Sequence, residues 1–293
     1  MSNISFDISG KIDKSYIEAL NEIRTVAESL GIPFFIIGAL ARDVILEHCH
    51  NIKAPGMTND IDLGIKVEGW EQFNNLIDTL IKTGKFEKTR EKQRIRFNEV
   101  LIDIVPFGKV SDNEYRISWP PEHELIMSIL GFDEVYQYSI IIRLSRDPIL
   151  DVKLPSLPGL AILKLLSWKD KYAEREKDAE DLLFIMNNYE HAGNFERLYD
   201  NELQLLEGEK FDNKIASIRL LGRDMARICS EDTLNSIRQI LSEETEDQSK
   251  FNLVIDMMSS HNNFDETLYL LKKLKDGVFD IKQLINFLAL CKG

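Results

Sequence analysis

The chain has 293 residues, of which 44% are hydrophobic and 29% charged, proportions typical of a soluble globular protein with one large or two ordinary domains. Its formal net charge of −13 argues against a broadly basic nucleic-acid-binding surface. The longest apolar run, 32–41, is too short to cross a bilayer, and the first ten residues lack a secretory signal. Three widely spaced cysteines (Cys49, Cys229 and Cys291) predict reduced thiols, so we expect a cytoplasmic protein with no membrane partner.

The first elements in chain order are a helix, a strand and a second helix. Apolar residues at helical spacing predict an amphipathic helix over Lys14–Leu30, and Phe34–Ile37 is typical of a short buried strand. Gly38 follows as a turn, and Ala39–Glu47 is again helical. A glycine turn and a helix N-terminus suit phosphate, and Arg42 in the first turn offers a fixed positive fork.

The next strand carries two carboxylates. Asp60–Ile65 alternates polar and apolar residues, which places Asp60 and Asp62 on one face and apolar side chains on the other. Such neighbours repel each other unless a cation lies between them, and Mg²⁺ prefers one or two carboxylates plus substrate phosphates. A lone Asp-x-Asp is common on exposed strands, so the preceding strand–glycine–helix order is what favours a metal site facing a triphosphate cradle.

A third carboxylate follows the helix predicted over Trp70–Lys82. Two short apolar strands flank Asn98-Glu99 and predict a hairpin. Asp103 lies among apolar residues on its second strand, where a buried carboxylate needs a partner or a metal.

A basic segment leads into this hairpin. Residues 82–96 contain seven Lys and Arg against Glu87 and Glu91. Such a segment could bind the phosphates of a polynucleotide acceptor, or it could be a solvated connection between helix and strand. The sequence leaves both interpretations open.

Prolines divide the remainder of the chain. We expect a short helix over Glu124–Leu130, then strands over Tyr138–Leu144 and Ile149–Leu154, with a domain boundary between 154 and 155. Helices then follow over the segments 160–173, 177–182, 215–228, 233–241, 251–258, 264–275 and 281–290, as in a helical bundle.

Lys164 interrupts the apolar stripe of the first of these helices. It could hold a phosphate as a point charge, or it could be a surface lysine whose stem packs on apolar neighbours. Asp178 and Asp181 are three residues apart and share a helix face, from which they could orient Lys164; a solvated, charged helix start is the alternative.

Four segments resemble a known family. Gly38-Ala39, Asp60-x-Asp62 and a later strand-borne Asp103 are similar to the nucleotidyltransferase superfamily with the DNA polymerase β-like palm. The segments IGALARD, TNDIDLGI, LIDIVPFG and LPGLAILKLLSWKDKYAEREKDAEDL most resemble the AbiEii/AbiGii type, toxins of bacterial toxin–antitoxin and phage-defence pairs. Ala39 departs from the Ser or Gly of many relatives, although a backbone phosphate cradle does not need that side chain.

The resemblance implies an α+β fold with a palm domain over 1–154, built on a small mixed β-sheet, and a helical domain over 155–293. It implies transfer of a nucleotide from a nucleoside triphosphate to RNA, with Mg²⁺ or Mn²⁺ as cofactor and a cognate antitoxin protein as partner. A small acceptor such as an aminoglycoside, or a palm that binds nucleotide without turnover, are the alternatives. The implied catalytic residues are Asp60, Asp62, Asp103 and Lys164, the three aspartates being the metal ligands. The implied nucleotide-binding residues are Gly38, Ala39, Arg42, Thr58, Lys164, Asp178 and Asp181.

Overall fold

The computed structural model describes residues 4–54, 56, 58, 60–258 and 263–290, the last ten of these by their backbone only. The chain divides into two compact units, Met1–Ser156 and Leu157–Gly293. Unit 1 contains all of the strands assigned in the described residues, and unit 2 is helical, so the chain has the α+β architecture that we expected. None of the helices within the described ranges is long and apolar enough to cross a membrane.

The strands of unit 1 are β1 (Phe6–Asp7), β2 (Phe34–Ile37), β3 (Asp60–Val67), β4 (Phe86–Lys88), β5 (Arg94–Phe97), β6 (Val100–Gly108), β7 (Arg116–Ser118), β8 (Ile126–Ser128), β9 (Ile140–Arg146) and β10 (Ile149–Leu154). Its helices are α1 (Lys14–Ser29), α2 (Gly38–Asp43), which continues as a π-helix over Val44–Cys49, α3 (Trp70–Lys82) and α4 (Phe132–Gln137). The helices of unit 2 are α5 (Leu157–Asp170), α6 (Glu176–Asn188), α7 (Phe195–Asp200), α8 (Leu203–Gly208), α9 (Asn213–Ile228), α10 (Glu231–Glu243), α11 (Asn252–Met257) and α12 (Phe264–Leu290), with a π-helical segment at Glu190–Asn194.

A five-stranded mixed sheet organises unit 1. Its strand order is β2-β3-β6-β5-β4, in which β3 and β6 are parallel and the other neighbours antiparallel. A second sheet has the order β1-β9-β10, and β7 pairs with β8. The alternation of β3 puts Ile61, Leu63 and Ile65 on one face, where all three are fully buried, and α1 and α3 pack against this sheet.

The opposite face of the five-stranded sheet carries the aspartates at one end and an aromatic cluster at the other. Phe35 and Phe107 project on this side, and their rings lie 5.5 Å apart. Phe132 and Tyr136 of α4 pack on both rings, with centroid distances of 5.5–6.3 Å. α4 therefore covers the far end of this face by aromatic packing.

Most predicted elements of unit 1 are confirmed, and one is wrong. The helices α1 and α3, the strands β2, β3, β9 and β10, and the hairpin of β5 and β6 lie where the periodicity predicts them, to within a few residues. The helix expected over Glu124–Leu130 does not form, because Ile126–Ser128 pairs with Arg116–Ser118 as an antiparallel strand. So short a segment gains little from helix formation alone, and strand pairing decides its conformation.

In unit 2, α5 is buried almost all round and packs against α6, α9 and α10. The two helices predicted over Phe264–Lys275 and Ile281–Leu290 are one continuous helix, α12. Gly277 lies in the middle of α12 and does not interrupt the helix. It allows close packing, because α9 approaches it at Gly222. The neighbouring Arg223 donates to Asp280 of α12 at 2.7 Å, so charged pairs also join the two helices.

The contact between α9 and α12 gives a stability prediction. A Cβ at Gly222 would lie 2.2 Å from the carbonyl oxygen of Leu274, a backbone atom that cannot swing away. We expect Gly222→Ala to lower the free energy of unfolding by about 1–3 kcal/mol, measured by urea denaturation. Gly208→Ala is the matched control, because a Cβ there meets nothing within 4 Å; it should leave stability unchanged or raise it by up to about 1 kcal/mol. Equal effects of the two variants would contradict the close packing.

Candidate functional site

Three aspartates and one arginine lie on the same face of the five-stranded sheet. In the parallel pair of β3 and β6, Asp62 is the register partner of Asp103, and in the antiparallel pair of β6 and β5, Asp103 is the partner of Arg94. Register partners project on the same side of a sheet, and neighbouring strands are about 4.8 Å apart. Asp62, Asp103 and Arg94 therefore form one row across three strands, which we call the carboxylate row; Asp60 lies two residues before Asp62 on the same face.

Gly38 presses directly against this row. It follows Ile37, the register partner of Asp62 on β2, and has φ +68°, in the left-handed region that favours glycine. A Cβ at Gly38 would lie 2.0 Å from Oδ2 of Asp62. The glycine turn therefore brings the backbone at the first residue of α2 directly against the Asp62 carboxylate.

Asp60 is held from the loop that precedes β3. The Thr58 hydroxyl donates to Oδ1 of Asp60 at 3.0 Å, and the Tyr16 hydroxyl donates to the Thr58 carbonyl oxygen at 3.0 Å. Burial, together with the negative charges of Asp13, Asp60 and Asp43, raises the pKa of Tyr16. Thr58 thus positions a predicted metal ligand.

Asp103 has a strong partner in Arg94. The Arg94 Nε donates to Oδ1 of Asp103 at 2.6 Å, and a terminal nitrogen donates to Oδ2 at 2.7 Å, which is a bidentate pair. These hydrogen bonds raise the pKa of the Arg94 guanidinium above its usual value. Among the described residues, no group of three or more His, Cys, Asp or Glu side chains is placed to hold a metal ion.

Arg42, predicted to bind phosphate, is 6% exposed. Its Nε and a terminal nitrogen lie 2.8 and 2.6 Å from Oδ1 of Asp43, the next residue in the chain. Because the Asp43 carboxylate partly neutralises the Arg42 guanidinium, Arg42 attracts phosphate less strongly than the unpaired arginine that we expected from the sequence.

Lys164, Asp178 and Asp181 come together inside unit 2. The Lys164 ammonium lies 2.8 Å from Oδ1 of Asp178 and 2.6 Å from Oδ2 of Asp181, and the lysine is only 7% exposed. Burial opposes its charged form, but the two carboxylates outweigh burial, so the pKa of Lys164 is raised. The ammonium therefore contacts two carboxylates within its own unit.

The basic segment 82–96 is largely neutralised. Five of its seven cationic side chains pair with carboxylates, as in Lys85–Glu22, Lys88–Asp78, Lys92–Glu122, Arg94–Asp103 and Arg96–Glu87. Four of these five carboxylates lie outside the segment, so a charge count over residues 82–96 does not reveal the pairing. The segment therefore offers less unpaired positive charge to a polynucleotide than its composition indicates.

Arg94 holds Asp103 across the hairpin, although in the sequence it stands out only as one charge of the basic segment. The signal was present, because the turn at Asn98-Glu99 fixes the hairpin register. Counting outward from Phe97 opposite Val100 reaches Arg94 opposite Asp103.

The cysteines predicted to be reduced thiols are three. Cys49 and Cys229 form no disulfide, and Cys291 lies outside the described residues.

No family model and no curated protein matches this chain. Among solved structures, it is similar to ANT(2'')-Ia in complex with adenylyl-2''-tobramycin (TM-score 0.36, 14% identity, covering 64% of this chain and 99% of that one). It is also similar to a CCA-adding enzyme with ATP (TM-score 0.32, 14%, covering 90% and 67%) and to the Thermotoga maritima CCA-adding enzyme complexed with tRNA (TM-score 0.30, 13%, covering 94% and 83%).

Proposed function

We propose that this chain is a metal-dependent nucleotidyltransferase that moves a nucleoside monophosphate from a nucleoside triphosphate to an acceptor hydroxyl. The observation that carries the proposal is the carboxylate row with Gly38 against it. Asp60, Asp62 and Asp103 share one sheet face although forty residues separate the last two, and the turn that starts α2 lies at Asp62. Carboxylates beside a glycine turn suit a triphosphate bound with a metal.

The residues present fit Mg²⁺ or Mn²⁺. Asp60 and Asp62 offer carboxylate oxygens, which these hard cations prefer, and a Cβ at Gly38 would collide with Oδ2 of Asp62, so only a glycine lets the turn come this close to that carboxylate. Asp60 and Asp62 would hold the metal, and Asp103, whose two oxygens accept from Arg94 in this structure, is the proposed third ligand. When bound, the metal supplies charge neutralisation to the triphosphate and polarises its α-phosphate.

The protein's own groups have separate roles in this proposal. The backbone N–H groups at Gly38 and Ala39 would bind phosphate oxygens, with Arg42 nearby, and Thr58 keeps Asp60 oriented. The acceptor oxygen forms a bond to the α-phosphorus while the bond to pyrophosphate breaks, and the hydroxyl proton passes to Asp103. Lys164, oriented by Asp178 and Asp181, would neutralise charge on the departing pyrophosphate, as the family resemblance implies.

The proposed acceptor is RNA, and the proposed setting is the toxin of an AbiEii/AbiGii-type toxin–antitoxin pair, with a cognate antitoxin protein as partner. One observation favours a second candidate. Because most of the basic segment is paired with carboxylates and the formal net charge of the chain is −13, a small cationic acceptor such as an aminoglycoside also suits this protein.

A transfer assay separates these functions. Each α-³²P nucleoside triphosphate is incubated with the protein and Mg²⁺, in parallel with total RNA and with a panel of aminoglycosides, and EDTA is the control. We expect label on RNA, lost with EDTA, and pyrophosphate release with one preferred nucleotide. Label on an aminoglycoside alone would replace RNA by the second candidate. Nucleotide-dependent thermal stabilisation without any transfer would contradict the enzymatic proposal and indicate a palm that only binds nucleotide.

A further inference from the structure

Arg94 is the one cation of the carboxylate row. Its guanidinium takes both carboxylate oxygens of Asp103, at 2.6 and 2.7 Å, and the two side chains are 26% and 18% exposed. The pair is therefore partly shielded from water, where a bidentate arginine–carboxylate contact is stronger than on an open surface. Arg94 thus neutralises one of the three carboxylates that would otherwise repel one another.

We propose that Arg94 is an internal counter-cation that competes with a divalent cation for Asp103. This inference rests on the metal site of the proposed function and adds a control to it. Both Asp103 oxygens already accept a hydrogen bond from Arg94, and the charge of its guanidinium opposes a second cation at the same carboxylate, so a metal binds Asp103 less tightly while Arg94 holds it. Asp60 and Asp62 form a two-carboxylate site while Arg94 holds Asp103, and release of Arg94 makes Asp103 the third ligand.

Arg94 is placed to oppose metal binding by direct contact with Asp103. Asp62, Asp103 and Arg94 are consecutive across three strands, so the guanidinium lies one strand beyond the carboxylate it holds. Arg96 is on the same strand and face, but its register partner is Leu101 and its ion-pair partner is Glu87 of β4. It therefore provides a cation of the same kind that does not hold a predicted ligand.

Mn²⁺ binding, measured by the EPR signal of free Mn²⁺ without nucleotide, tests the inference. Arg94→Gln should tighten Mn²⁺ binding by about tenfold, because a unit charge next to Asp103 is removed and both of its oxygens are released. Arg96→Gln, the matched control, should change the affinity by less than about twofold. In an Asp103→Asn background, Arg94→Gln should have no further effect, since the contested ligand is already gone.

A measurement on the wild type avoids reliance on a substituted strand. The side-chain Nε–H signal of Arg94 in a ¹⁵N–¹H spectrum, assigned by its loss in Arg94→Lys, should shift when Mg²⁺ is added, while the Arg96 signal stays. Unchanged or weaker Mn²⁺ binding in Arg94→Gln would overturn the inference, as would an Arg94 signal that does not respond to saturating Mg²⁺. Neither readout involves nucleotide transfer, so a failed transfer assay with tighter Mn²⁺ binding would refute the proposed function and leave this inference standing.

Discussion

Asp62→Asn is expected to abolish nucleotide transfer, with a fall in kcat of about 10³-fold or more. The substitution keeps the volume of the side chain but removes its negative charge and replaces one carboxylate oxygen by an NH₂ group. Asp62 is the central carboxylate, next to Asp103 across the parallel strands and against Gly38. Loss of a metal ligand at this position removes several kcal/mol of charge stabilisation from the transition state.

Label transfer at saturating Mg²⁺, together with the thermal midpoint, measures this effect. Asp78→Asn is the matched control, because it makes the same change at a carboxylate of α3 that pairs with Lys88 on the surface. It should retain activity within about twofold, as exposed ion pairs contribute little. If Asp62→Asn kept about a tenth of the wild-type activity while folded, the carboxylate row would not be the catalytic site.

Lys164→Met is expected to destabilise unit 2 by about 3–5 kcal/mol, since it leaves two buried carboxylates without their cation. Asp178 and Asp181 both contact the ammonium within 2.8 Å, and all three residues are buried. Methionine fits the volume of the lysine stem, so the loss comes from the uncompensated charges and not from a cavity.

Urea denaturation of two further variants isolates this electrostatic cause. Lys169→Met lies on the same helix and breaks an exposed pair with Glu243, so it should cost less than about 1 kcal/mol. The triple variant Lys164→Met, Asp178→Asn, Asp181→Asn should recover a large part of the lost stability, because no buried charge remains. A Lys164→Met variant as stable as Lys169→Met would show that the buried ion pairs contribute nothing.

These two sites differ in how they arise from the chain. The alternation of β3 places the Asp60 and Asp62 side chains on one sheet face. The expected effect of Lys164 on stability comes instead from its ion pairs with two buried aspartates. A phosphate-binding role for Lys164 would require phosphate to compete with two carboxylates already in contact. Activity measurements on Lys164 variants therefore need the stability of unit 2 beside them.

The sequence by itself determined the local parts of this protein. The alternation of β3 placed Asp60 and Asp62 on one face, because successive strand residues always point to opposite sides. The apolar run before Gly38 and the turn at Asn98-Glu99 likewise fixed β2 and the hairpin of β5 and β6. Even the pairing of Arg94 with Asp103 follows from the register of a two-residue turn.

Only the tertiary structure decided which distant residues meet. The neighbourhood of Asp62 and Asp103 depends on the parallel pairing of β3 and β6, and no local pattern specifies that register. The enclosure of Lys164 between two aspartates and the unbroken course of α12 past Gly277 depend on helix packing in the same way. Backbone periodicity acts over a few residues, whereas pairing and burial are set by the whole fold, and the chemistry of this protein depends on both.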